Sequence, residues 1–241
     1  MVLDLNESRW KALYRVGAVC IFLAVIVIVT EIFLTALPDG SRATTGTSTI
    51  NSWFDLFQRN WFMAMRNLGL INIIATTLMI PVFLSLCGLH RKENGAFAGL
   101  TLIFFITGYA IFMADNTAFP MLALSKKYAV ADSESQKVML AAAGEALLVK
   151  GSSHTPGTFP GFFLSELAGI SICIVIVKGK VFNKITGIIG IIAFGFLLIF
   201  EVFSSFIPNL FDTAMIFAMI GGISAIVWYV ILGLKLLKVS K

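Results

Sequence analysis

Six apolar runs, near residues 14–37, 66–89, 95–119, 158–177, 183–204 and 212–236, dominate the 241-residue sequence. Each is long enough to cross a hydrocarbon layer of roughly 30 Å at a helical rise of about 1.5 Å per residue. Inside lipid a backbone must satisfy its own hydrogen bonds, so runs of this length are restricted to helices. The fold class that follows is all-α: a single polytopic membrane domain over 1–241, with six transmembrane helices. Outer loops fall near 38–65 and 120–160, with short interfacial helices on that face. Charged residues make up 13% of the chain against 58% hydrophobic, about half the charge of a soluble domain. The lipid bilayer is therefore the first partner.

The formal net charge of +5 does not point to nucleic acid, because the basic residues sit in short clusters between apolar runs and not on one folded surface. That clustering sets orientation instead. The N-terminal tail (Arg9, Lys11, Arg15), the "HRKENG" turn (Arg91, Lys92), the "KGKVFNK" turn (Lys178, Lys180, Lys184) and the C-terminal tail (Lys235, Lys238, Lys241) hold eleven of the 18 Lys and Arg residues. In a six-helix chain all four lie on one face, and the opposing "SSFIPNLFD" turn has none. The positive-inside rule places both termini in the cytoplasm. The first run is too long for a signal-peptide core and contains Glu31, so a retained helix is expected.

Two outer segments carry structure of their own. In "WFDLFQRNWF", Trp53, Phe54, Phe57 and Trp61 recur at helical spacing among polar residues, which fits either a short interfacial helix or a loop whose tryptophans join the aromatic belt. It follows the Ser/Thr-rich "DGSRATTGTSTINS". In the second segment, Ser133 and Gln136 form a capping signature ahead of strong helix formers, with Gly151 as a stop. A helix resting on the outer surface is expected, then the "GSSHTPGTFPG" link.

Acidic residues line up at the outer ends of the runs. Glu31, Asp115, Glu166, Glu201 and Asp212 come from five different helices, with Glu166 deepest. Stepping back in helical register from Glu31 passes Ala24, Cys20 and Gly17, from Glu201 it passes Phe194, Gly190 and Gly187, and from Asp115 it passes Gly108, Phe104 and Thr101. Small residues mark packing faces, so the carboxylates are expected to face the bundle. Asp115, Asn116, Glu166, Glu201 and Glu31 thus form a candidate ligand-binding cluster. Arg66 is expected to neutralise Asp115 or Glu166, Pro81 to kink the second helix, Asp115 and Asn116 to end the spanning section of the third, and Pro120 then to unwind or redirect the chain. His154 joins the cluster only if its link folds back.

Other chemistries are poorly supported. Cys20, Cys87 and Cys173 stand alone as free thiols, and His90 and His154 are the only histidines, so no metal site is expected. Ser165 lacks the glycine frame of a nucleophile elbow, and no Walker, GxGxxG or HExxH motif occurs. Nothing indicates a cofactor, and whether the chain is an enzyme is open. The order of "NTAFPMLALSKKYA", "QKVMLAAAGEALL", a glycine-rich start to the fourth helix, "KVFNKITGIIG" and "WYVILGLKLLK" resembles the bacterial family called domain of unknown function 4386. That resemblance implies six helices and a prokaryotic plasma (inner) membrane, and carries no catalytic residues.

Three functions are compatible with this pattern. The first is binding or transport of a small ligand (a cation, a proton, a small amine or a lipid) through an outward-facing acidic pocket. The others are an intramembrane acid/base enzyme on a lipid-like substrate, and a structural subunit bound to a membrane protein partner or to its own copies. A cysteine-accessibility scan should label positions 91 and 178 from the cytoplasm and the 151–161 link from outside; the reverse pattern would mirror every depth assigned above.

Overall fold

The computed structural model describes residues 2–35 and 49–241, so most of the Ser/Thr-rich stretch expected in the first outer loop lies outside the described residues. The described chain is built of ten α-helices and a 3-10 turn: α1 (Val2–Thr35), α2 (Ile50–Arg59), α3 (Trp61–Asn67), α4 (Leu70–His90), α5 (Gly95–Asp115), α6 (Ala118–Ala129), α7 (Glu134–Gly151), α8 (Phe159–Lys178), α9 (Lys184–Phe206), the turn Pro208–Leu210, and α10 (Phe211–Val239). Six helical segments, containing α1, α4, α5, α8, α9 and α10, are long and apolar enough to cross a membrane.

Their packing follows chain order and then closes. α1 packs on α4, α4 on α5, α5 on α8, α8 on α9, α9 on α10, and α10 returns to α1. Small residues permit the close seams. A Cβ on Gly108 of α5 would meet the Gly161 carbonyl of α8 at 2.9 Å, one on Gly17 of α1 the Pro81 carbonyl of α4 at 3.2 Å, and one on Gly221 of α10 the Ala193 carbonyl of α9 at 3.0 Å. The main apolar core lies inside this ring, around Ile21, Val82, Leu86, Ile172, Trp228 and Leu232. Pro81 sits within α4, and its carbonyl accepts a 2.7 Å bond from the Ser85 hydroxyl.

The four basic clusters share one end. Lys11 Nζ donates to the Lys241 carbonyl at 3.2 Å, Arg91 stacks over Trp10 at 4.5 Å, the Lys180 amide donates to Glu93 at 3.1 Å, and Lys235 lies 5.9 Å from the Phe182 ring. At the other end α2, α3, α6 and α7 make a cap with its own core of Ile50, Trp53, Phe54, Phe57, Leu68 and Met121. Trp53, Phe54 and Phe57 are buried in that core, so the aromatic face of α2 is satisfied mainly by protein, while Trp61 stays exposed. Ser133 caps α7, its hydroxyl accepting from the Gln136 amide at 3.3 Å.

Two helix boundaries fall inside the runs expected for them. The second spanning helix starts at Leu70, because the chain breaks at Leu68 and Gly69; Arg66 and Asn67 belong to α3 in the cap. The third apolar run reaches 119, but its helix ends at Asp115, at the Asp115–Asn116 pair expected to end the spanning section. Asn116 makes the turn: its Oδ1 accepts from the Ala118 amide at 3.0 Å and its Nδ2 donates to the Leu68 carbonyl at 2.9 Å, tying both breaks together. Pro120 then falls in the first turn of α6, where its missing N–H costs nothing. Gly69 holds φ +90°, and a Cβ there would come within 3.1 Å of Asn116 Nδ2. Gly69→Ala is therefore expected to destabilise the protein by about 1–2 kcal/mol, read as a lowered midpoint in reversible denaturation.

Candidate functional site

Within the ring lies a partly open cavity of about 300 Å³, to which all six spanning helices contribute: Ile28 from α1, Asn72 and Thr76 from α4, Phe105 and Phe112 from α5, Phe162 and Glu166 from α8, Phe194 from α9, and Gly222 and Tyr229 from α10. It lies toward the cap end, since Phe112 is in the last turn of α5 while Asn72 and Phe162 are in the first turns of α4 and α8. Its wall is mostly apolar, with Asn72, Thr76, Ser165, Glu166 and Tyr229 as the polar exceptions. The Ser165 hydroxyl is occupied within its own helix, donating to the Gly161 carbonyl at 2.9 Å. Glu166 Oε2 is buried and has no hydrogen-bond partner among the described residues. A buried carboxylate oxygen left unmatched is costly, so this is the chemically unfinished point of the cavity.

Glu201 stands beside this wall, close enough to Glu166 for the two charges to interact. It is almost wholly buried, and its Oε1 lies 2.7 Å from His154 Nδ1. The 152–158 link does fold back. The Thr155 and Thr158 hydroxyls both donate to the Ser152 carbonyl, at 2.7 and 3.0 Å, and knot the link tightly. His154 takes φ +59°, unusual for a residue with a side chain, and its ring stacks on Phe162 (5.1 Å between centroids) and meets Phe200 edge-on (4.7 Å). Since Phe162 lines the cavity, the His154–Glu201 pair braces the cavity wall from outside. Burial works against a charged imidazole, but the Glu201 carboxylate, through its charge and its hydrogen bond together, holds the His154 pKa above the ordinary 6.5.

The remaining members of the expected cluster lie elsewhere. Arg66 does not pair with Asp115 or Glu166. Its guanidinium clamps Glu31, with Nη2 2.8 Å from Oε1 and Nε 3.0 Å from Oε2, and it also bonds the Glu31 carbonyl, Thr35 and Asn67. The reason is the helix break at Gly69, which puts Arg66 in the cap above the end of α1. Asp115 faces Lys150 of α7 at 3.6 Å, and Asn116 is spent on the turn described above. Asp212 is exposed at the start of α10. The five carboxylates are thus divided, and only Glu166 and Glu201 approach the cavity.

The aromatic lining and Tyr229 were not singled out from sequence. A tyrosine in the middle of an apolar span was the available signal, because a buried phenol needs a polar neighbour. Among the described residues no three His, Cys, Asp or Glu side chains group as metal ligands, and Cys20, Cys87 and Cys173 are free thiols.

Fold and cavity together define the class: a multi-pass, all-α membrane protein with an acidic residue lining a largely apolar cavity. No family model matches the chain, and no curated protein or solved structure does.

The His154–Glu201 pair has a defined pH signature. Its folded-state pKa is raised, so its stabilisation is fully present below about pH 6.5 and fades as pH rises through the folded-state value. The loss of melting temperature in His154→Gln relative to wild type is therefore expected to be larger at about pH 6 than at about pH 9.

Proposed function

We propose that this protein binds or transports a small ligand in the cavity of its helix ring, with Glu166 as the residue that holds it. The observation carrying this reading is the buried Glu166 Oε2, unmatched by any described protein group, on the wall of a 300 Å³ space. That volume stands at the small end of ligand pockets, roughly 300–1,000 Å³. A purely structural role would have each carboxylate paired within the protein. Glu31 and Asp115 are, and they belong to the scaffold, but Glu166 is not. Acid/base catalysis is the weaker reading because no nucleophile accompanies Glu166.

The basic end is assigned to the cytoplasm, on the Lys and Arg distribution, which makes the cap extracytoplasmic. The resemblance to the domain of unknown function 4386 family supports a prokaryotic plasma membrane. Asn116, His154, Glu201 and Arg66 act around the site as positioning groups.

Gly222 offers a direct test. It lines the cavity, and a Cβ built there meets nothing within 4 Å, so a side chain can start at this position and Gly222→Leu is expected to fill part of the space. Native mass spectrometry of the full chain released from nanodiscs should detect a bound small molecule in wild type that is lost in Gly222→Leu, with the melting temperature retained. Equal occupancy in both proteins would overturn the assignment.

A further inference from the structure

The reading above leaves the kind of ligand open, and the cavity wall narrows it. Among the described residues Glu166 is the sole acidic side chain lining the cavity, and no Lys, Arg or His lines it. The nearby cationic side chains are already engaged: Arg66 on Glu31, His154 on Glu201, Lys150 beside Asp115. The partner that Glu166 Oε2 lacks within the protein therefore has to come from whatever occupies the cavity. An anionic ligand would find no basic side chain on this wall.

The rest of the wall separates kinds of cation. A hard metal ion is held mainly by grouped carboxylates, and the wall offers the single carboxyl group of Glu166 beside the neutral side chains of Asn72, Thr76, Ser165 and Tyr229, with no group of three His, Cys, Asp or Glu side chains among the described residues. It offers instead the rings of Phe83, Phe105, Phe112, Phe162, Phe194 and Tyr229. Aromatic faces attract an organic ammonium and also bury the hydrocarbon attached to it. We infer that the cavity takes a hydrophobic organic ammonium, its charged head on Glu166 Oε2 and its apolar body among these phenyl rings. This rests on the cavity being the binding site, and it names the class of molecule that fits.

The test uses the full chain in nanodiscs and two matched probe pairs, 2-phenylethylammonium against 2-phenylethanol and hexylammonium against hexanol, titrated calorimetrically. Each ammonium is expected to bind at least about tenfold more tightly than its alcohol, a difference of about 1.4 kcal/mol. Glu166→Gln should remove that preference and leave alcohol binding unchanged. Phe105→Leu keeps the carboxylate and should weaken the ammonium about threefold or more, within the range of a cation–π contact, so the proposal stays testable if Glu166→Gln does not fold. Alcohols that bind as tightly as the ammoniums, with both lost in Gly222→Leu, would overturn the cationic class and leave the cavity reading standing. Binding indifferent to Gly222→Leu would overturn both, and no ammonium binding above that of empty discs would overturn the proposal.

Discussion

The return of α10 onto α1 is the contact on which the rest of the molecule depends. Five of the six seams join helices that are neighbours in sequence, and these could form as simple antiparallel hairpins. The sixth converts a curved sheet of helices into a ring, and only a ring has an inside. Gly233 of α10 permits it, since a Cβ there would press on Phe22 and Ile21 of α1 at 2.7 and 2.9 Å, and Trp228 and Leu232 are wholly buried in the core beside Ile21. At the basic end the terminal carbonyls of Ser240 and Lys241 accept from Arg15 and Lys11. Closure fixes the cavity volume, because the glycine seams draw the helices together where Cβ atoms are missing while phenylalanine rings hold them apart within.

The cap is a second body of apolar packing that stays attached through polar and ionic ties. Arg66 on Glu31 fastens α3 to the end of α1, Asn116 on Leu68 fastens the α5–α6 turn to the α3–α4 turn, and Lys150 on Asp115 fastens α7 to α5. A bidentate guanidinium–carboxylate pair suits this duty, since it fixes orientation as well as distance. The carboxylates gathered at this end therefore serve different purposes: Glu31 and Asp115 hold the cap, Asp212 is exposed and Glu166 lines the cavity. Glu201 stands between these roles, bound to the cap-side link through His154 yet adjacent to Glu166.

The spanning helices were legible from their apolar runs, because in lipid few structures other than a helix satisfy the backbone. The α7 start was legible for a local reason, the Ser133 cap, and the small-residue seams came from helical register applied to Gly17, Gly108 and Gly187. What register cannot supply is the rotation and height of the neighbouring helix, which is why Arg66 was assigned to Asp115 or Glu166 and pairs with Glu31 instead. The break at Gly69 escaped for a related reason: the hydrogen bond that ties it down joins Leu68 to Asn116, 48 positions apart. The position of His154 depends on a link folding across α9, a tertiary event with no signature in Gly, Ser and Pro composition. The cavity wall was hidden most thoroughly, since a phenylalanine facing a void and one facing lipid look the same in sequence.

The order of the seams also governs how the molecule is assembled. As helices enter the membrane one after another, each new one finds its predecessor already in place, so pairing up to α9 needs only local encounters. The final seam is different, because α1 must wait, with Gly17, Ile21 and Phe22 on its flank, until the last helix is made. The acidic interior is thus a property of the finished chain alone, acquired in the single step that joins its two ends.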